Sequence, residues 1–324
     1  FRLAFRQLAS AKNRYAGVFV VALLLVFFAS IVGRMDSWLG SDGKGMMDAF
    51  NPADHDIGVQ SFGELTQEEF EQTILQYTNI TDTYILAMPT AALNGISYTA
   101  NVIDEPDRFH ILEGRTCTGE NEIVITESIV SDFGIGIGDT VTVRGDRGNG
   151  EYMISGIYSC ANDMGGNFGM NREGYRKIGQ DYPNLWCWHY FLADSSQKKV
   201  IADALEGTYG GDIHVHENTW PGLFGIISAM QALLLFMYVL VIVFILVVTV
   251  MTSNKILSAE QKDLGIYKAI GFLSVGLRLT FSLRFAIVSL LGGLVGMVLA
   301  DVLTDPLVGR IMKFAGISNF SSNP

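Results

Sequence analysis

The sequence predicts a membrane protein, an α-helical transmembrane bundle of three visible spans with a large α+β extracytoplasmic domain inserted between the first and second. Three observations predict it. Residues 222–250 (GLFGIISAMQALLLFMYVLVIVFILVVTV) hold no charged residue, and as a helix they would run about 43 Å against roughly 30 Å of bilayer hydrocarbon. Two shorter apolar runs, Tyr15 to Val32 and Phe285 to Ala300, lie to either side. Finally, charge is partitioned: residues 35–220 carry 29 acidic and 10 basic residues, while the rest is net basic in a chain of net charge −11.

Residues 1–14 hold Arg2, Arg6, Lys12 and Arg14 with no acid. They read as a cytoplasmic amphipathic segment, because Lys and Arg beside a span favour the cytoplasmic face. Residues 15–34 form the first span. A cleavable signal peptide is the competing reading, disfavoured because the stretch is too long for an apolar signal core and lacks a small-residue cleavage site. The chain begins at Phe1 rather than Met, which suggests a piece of something longer. Residues 35–220 then lie outside the cell. Their acidity keeps such a domain soluble and argues against nucleic acid as a partner.

This outer segment is long enough for its own core. Hydrophobic periodicity predicts helices at Thr66–Tyr77, Glu127–Asp132 and Ser195–Leu205. Strands are predicted at Ser97–Ile103, Glu122–Thr126, Thr140–Arg144, Tyr152–Ser159, His189–Leu192 and Asp212–His216. The polar joints RGDRGNG (144–150) and NDMGGN (162–167) read as hairpin loops or tips. Cys117, Cys160 and Cys187 all fall in this segment, so either one disulfide forms with one thiol left over, or three thiols are buried.

Residues 221–254 are a stalk and second span, and residues 255–278 a cytoplasmic loop. In that loop Ser258 and Gln261 suggest a capping box opening a helix over Ala259–Ile270, with Gly271 as its C-cap. Leu264, Tyr267 and Ile270 fall near one face, so a short amphipathic helix could rest on lipid headgroups. Residues 279–303 are the third span, bounded by Arg284 and Asp301, which can snorkel to opposite interfaces. Gly292, Gly293 and Gly296 give it a GxxxG spacing, suited to packing against the chain's other spans or to a dimer seam. Residues 304–324 read as an external loop, since Arg310 and Lys313 exclude a fourth span there.

Chemical signatures are sparse. Asp212, His214 and His216 would share one side of a strand and could touch a metal, but no fourth ligand is evident, and neither a metal nor a cofactor is assigned. No GxxxxGK[ST] phosphate loop, nucleophile elbow, HExxH or CxxC is present. No catalytic residue is assigned, and the chain does not bind ATP by the phosphate-loop route.

Two stretches carry a family resemblance. Leu112-Glu113-Gly114-Arg115, Asn121 to Glu127 (NEIVITE) and Phe133 to Val143 (FGIGIGDTVTV) resemble the extracytoplasmic core domain of MacB-like permeases. Glu260 to Gly271 (EQKDLGIYKAIG), with Phe281-Ser282-Leu283-Arg284 and Ser289 to Gly296 (SLLGGLVG), is similar to the cytoplasmic loop and third helix of FtsX-like permeases. These are membrane subunits of type VII ABC transporters. Arg284 stands where relatives often carry an acid, and the family unit has four spans where this chain shows three.

The resemblance implies a permease subunit with a separate cytoplasmic ABC ATPase and a second permease subunit, as a homodimer or pseudo-dimer, in contact with membrane lipid. It implies that Lys262, Asp263, Leu264, Gly265, Ile266, Tyr267, Lys268, Ala269, Ile270 and Gly271 form an ATPase-coupling helix. It also implies mechanotransmission, in which ATP-driven motion inside moves the outer domain to export or extract a lipid, peptide or drug. Two other roles fit the resemblance: a regulator of a cell-wall hydrolase, and a peptide sensor working with a histidine kinase. Either would add an extracytoplasmic protein or peptide partner.

Overall fold

In a computed structural model, the structure describes residues 12–40, 44–63, 65–216, 221–271, 273–318 and 320. The chain divides into two compact units, a helical one (1–41, 228–308 and 321–324) and a sheet-containing one (42–227 and 309–320).

Three long helices dominate the helical unit: α1 (Lys12–Leu39), α7 (Pro221–Ala269) and α8 (Ser274–Phe314). Each is long and apolar enough to cross a membrane. α7 is unbroken for 49 residues, about 74 Å at 1.5 Å per residue. The predicted capping box at Ser258 therefore does not form. Between Phe224 and Lys268 the only glycines are Gly225 and Gly265 and there is no proline, so nothing interrupts the backbone hydrogen bonds. α7 ends where Gly271 takes φ +96° and donates its N–H to the Lys268 carbonyl, a conformation glycine adopts without a Cβ clash.

α8 runs through Pro306 to Phe314, so residues 304–314 are helix rather than the expected loop. Proline removes one N–H and disturbs one turn, yet Thr304 Oγ1 still reaches the Ala300 carbonyl at 2.6 Å and the helix continues. Arg310 and Lys313 deny this extension the composition of a further span but do not stop it being helical.

In the sheet unit the helices are α2 (Lys44–Phe50), α3 (Gln67–Ile74), α4 (Glu127–Phe133), α5 (Arg172–Arg176) and α6 (Lys198–Tyr209). Its strands are β1 (Ile57–Ser61), β2 (Ile80–Ala87), β3 (Thr90–Leu93), β4 (Ile96–Ile103), β5 (Ile111–Gly114) and β6 (Glu122–Ile125). They continue as β7 (Thr140–Arg144), β8 (Asn149–Tyr158), β9 (Asn167–Asn171), β10 (Cys187–Leu192) and β11 (Ile213–His216). All join one sheet in the order β11-β1-β10-β2-β4-β3-β7-β8-β6-β9, with β5 beside β8. Because β9 also pairs in parallel with β4, the six strands β4-β3-β7-β8-β6-β9 close on themselves. This ring encloses Val102, Ile123, Ile125, Val143, Ile154 and Phe168, all buried.

The four strands β11-β1-β10-β2 form an open arm. Alternation fixes its two faces. Ile57, Val59, Tyr190, Ile213 and Val215 pack with Phe70 and Ile74 of α3 and Ile201 and Leu205 of α6. The intervening residues, Gly58, Gln60, Cys187, His189, His214 and His216, face the other way. The three cysteines are free thiols, Cys117 and Cys160 buried and Cys187 partly so.

Candidate functional site

The ten residues 262–271 form the last turns of α7 and its cap. Ile266 is 58 % exposed and Ile270 70 %, and just beyond the cap Leu273 is 80 % exposed. The tip of this helix thus presents branched apolar side chains with Lys262 and Lys268 exposed beside them. The side chains of Asp263 and Leu264 lie outside the described residues. A Cβ at Gly265 would meet nothing within 4 Å, so its surface is open to another molecule.

Gly292, Gly293 and Gly296 of α8 face α1. A Cβ at Gly292 would lie 2.5 Å from the Phe19 carbonyl oxygen, and one at Gly296 would lie 2.4 Å from that of Leu23. Gly293 is less constrained, its nearest neighbour being Val26 Cγ2 at 3.3 Å. The small residues therefore serve close backbone approach inside one chain. Arg284 does not snorkel: it is buried, with its guanidinium carbon 5.6 Å from the Tyr15 ring centroid. Asp301 does face outward, and it accepts a charge-assisted hydrogen bond from Arg34 of α1.

A second cluster lies on the open arm of the sheet. Gly58 of β1 is paired on one side with His189 of β10 and on the other with His216 of β11. Strands two apart are roughly 9–10 Å from each other, yet the His189 and His216 rings come within 5.5 Å, centroid to centroid. They converge because Gly58 has no side chain. A Cβ there would sit 2.2 Å from His216 Cε1, so the imidazole occupies that space. His55, in the segment leading into β1, closes the group with ring centroids 4.4 Å from His189 and 5.3 Å from His216.

Hydrogen bonds orient these rings. His189 Nδ1 lies 3.1 Å from the Cys187 carbonyl and His55 Nδ1 lies 3.3 Å from the Ala53 carbonyl. A carbonyl only accepts, so each Nδ1 carries the proton and each Nε2 keeps its lone pair. Tyr84 stacks on His189 at 4.8 Å and 6°, and its hydroxyl donates to the Ala53 carbonyl at 3.3 Å. His216 Nε2 lies 3.4 Å from Cys187 Sγ. Burial, with the neighbouring His216, lowers the His55 pKa to about 3, and burial with His214 lowers that of His216 to about 4. Burial also drives His189 well below its ordinary value and pushes the Cys187 thiol up.

His55, Cys187, His189 and His216 line a cavity of about 330 Å³ whose wall includes Gln60, Met88 and His214. The trio suggested by the sequence, Asp212, His214 and His216, does not assemble: Asp212 lies in the turn before β11 and His214 is exposed. Only His216 belongs to the cluster. His55 and His189 escape a reading of single segments because they are 134 residues apart. The signal that could have found them is the matched alternation of CWHYFL and IHVH beside a strand with glycine at its second position.

No family model matches the chain, and no curated protein matches it. Among solved structures it is similar to the periplasmic region of MacB from Actinobacillus actinomycetemcomitans, at 13 % identity, a TM-score of 0.35, and coverage of 54 % of this chain and 92 % of that one. It is also similar to the extracellular domain of the noncanonic ABC-type transporter YknZ from Gram-positive bacteria, at 13 % identity and a TM-score of 0.35, covering 49 % of this chain and 98 % of that one.

Proposed function

We propose that this chain is the permease subunit of an ABC transporter of the FtsX and MacB kind, and that it transmits motion rather than carrying substrate through a channel of its own. The observation that carries the reading is α7. One helix of 49 residues begins five residues after the last sheet strand, passes through an uncharged run, and ends in an exposed apolar tip flanked by lysines. At about 74 Å it is more than twice the hydrocarbon thickness. A continuous helix is stiff along its axis, so displacement at one end is delivered at the other.

In this reading residues 1–14 and 255–278 are cytoplasmic and the sheet unit is extracytoplasmic, as the charge asymmetry favours. Lys262 to Gly271 dock on a cytoplasmic ATPase through Ile266 and Ile270, and ATP-driven closure of two such ATPases moves the long helices and the outer domains. The sequence resemblance supports this role. The competing regulator role uses the same movement to act on a cell-wall hydrolase, whereas the sensor role binds an extracellular peptide and signals through a partner histidine kinase.

The test is co-purification with the ATPase encoded beside this chain. Leu264→Asp and Ile270→Asp should each sharply reduce the complex, since a charge pressed into an apolar groove costs several kcal/mol. Membrane insertion should be unchanged. Undiminished yield and activity in both variants would sink the coupling assignment.

A further inference from the structure

The histidine cluster is not used by a machine that works through its helices, and its construction is that of a ligand set. One ring nitrogen from each of His55, His189 and His216 lies within 4.8 Å of the others. Two of the three histidines have their Nδ1 protons committed to backbone carbonyls, the outer-shell arrangement that aims Nε2 at a metal. Gly58 clears the space the converging rings need.

We propose that His55, His189 and His216, with the thiolate of Cys187, form a tetrahedral zinc site on the open arm of the sheet. Zinc takes imidazole nitrogen at about 2.0–2.1 Å and thiolate sulfur at about 2.3 Å, which puts tetrahedral N and S ligands about 3.5 Å apart. The His216 Nε2 to Cys187 Sγ separation of 3.4 Å already matches. Tetrahedral nitrogens would stand about 3.3 Å apart, so the three imidazoles must draw inward by roughly an ångström or more, as side-chain torsions allow at the edge of a cavity. Imidazole and thiolate suit zinc and disfavour magnesium and calcium, which take oxygen. Binding would displace the Cys187 proton to solvent, leaving three neutral ligands and one thiolate on the dication.

The ligands come from both ends of the sheet unit's main segment. His55 precedes β1, the first strand, and His216 is the last residue of β11, the last strand before α7. A metal would therefore fasten the chain's entry to its exit, five residues before α7 begins in the sequence. Such a tie would hold the arm rigid under the load that α7 delivers.

The experiment uses the full 324-residue chain in detergent, stripped with a chelator and titrated with Zn²⁺ against a chromophoric competitor, with Co²⁺ as the spectroscopic probe. One Zn²⁺ should bind per chain. Co²⁺ should give the intense visible bands of a four-coordinate site together with a thiolate charge-transfer band. Cys187→Ser should abolish the charge-transfer band and weaken zinc at least tenfold, and His216→Gln should weaken it similarly. His214→Gln, at the cavity wall, should bind as the parent does. The Co²⁺ spectrum of the unsubstituted chain tests thiolate ligation even if a variant fails to fold. Absence of stoichiometric zinc, a Co²⁺ spectrum without the charge-transfer band, parent-like binding by both ligand variants, or loss of zinc in His214→Gln would each overturn the assignment.

Discussion

Gly58 and His216 are register partners on adjacent strands, and the imidazole of one fills the volume a side chain on the other would need. Gly58→Ala must push the ring aside. Because the obstructing atoms are the end of a side chain bordering a cavity, the ring can swing, and overpacking here should cost about 1 kcal/mol, at the low end for such changes. The fold should survive while zinc binding falls at least tenfold. Circular dichroism and zinc titration of the variant measure the two effects separately. Parent-like zinc affinity would show that His216 need not sit over Gly58 to serve as a ligand.

The glycines of α8 should separate by what each would strike. Gly296→Ala drives a Cβ against the Leu23 backbone, which cannot rotate away, so α1 and α8 must part. We expect a loss of roughly 1–3 kcal/mol, read as a lower thermal midpoint in detergent, and a similar loss for Gly292→Ala. Gly293→Ala meets only a valine methyl and should be mild. Gly265→Ala, with nothing nearby, should be neutral or slightly stabilising, because alanine is the better helix former. Equal midpoints for Gly296→Ala and Gly265→Ala would contradict the packing described.

Much of the sheet unit was legible because its strands alternate cleanly. β7 was anticipated at its observed limits, Thr140 to Arg144, where buried Val141 and Val143 alternate with exposed neighbours. β1 was missed because Gly58 reads locally as a break, although its role is to make room for a ring 158 residues later in the chain. β9 was missed because NFGMN is short, contains glycine, and is buried at every position through pairing with β4 and β6. The existence of the three long helices followed from composition. Their ends did not: SNKILSAEQK looks like a loop by charge, but charge does not terminate a helix, and α7 and α8 run on to the positive-φ glycines Gly271 and Gly316. The histidine site could not be read from one segment because register, not sequence proximity, assembles it.

The acid limb of stability should bear the mark of Glu122. Its carboxylate accepts two hydrogen bonds from Arg115 and one from the Gly119 N–H at 2.9 Å. The Arg115 hydrogen bonds are the main cause that lowers its pKa to about 2 from the ordinary 4.5. A depressed carboxyl pKa means the unfolded chain binds the proton more readily. The contribution is thus complete above about pH 4.5 and fades as pH falls toward 2. Glu122→Gln should lower the thermal midpoint near pH 7 and flatten its decline between about pH 4.5 and 2. A variant whose midpoint falls in parallel with the parent across that window would remove Glu122 from the acid response.

The sheet unit should fold when freed of the long helices, because its two main cores are built from residues within 57–215. A fragment from Asp36 to Glu217 should show cooperative thermal unfolding by circular dichroism. It will lack Lys313, which pairs with Glu127 at 2.9 Å, and Gly316, which lies against Met164 and Gly165. We therefore expect it to be less stable than the same unit in the full chain. A random-coil spectrum across redox and pH conditions would contradict the division into two units.

In the proposed mechanism α7 carries motion from a cytoplasmic ATPase to the outer domain. The most direct measurement is the spin-label distance between outer domains of the assembled transporter, labelled at Asp146 in the β7–β8 loop, with and without ATP. The distance distribution should shift with nucleotide in the parent. Two glycines inserted after Ser253 should abolish the shift while the ATPase still co-purifies. An unchanging distribution during active ATP hydrolysis, or a full shift across the broken helix, would contradict the account.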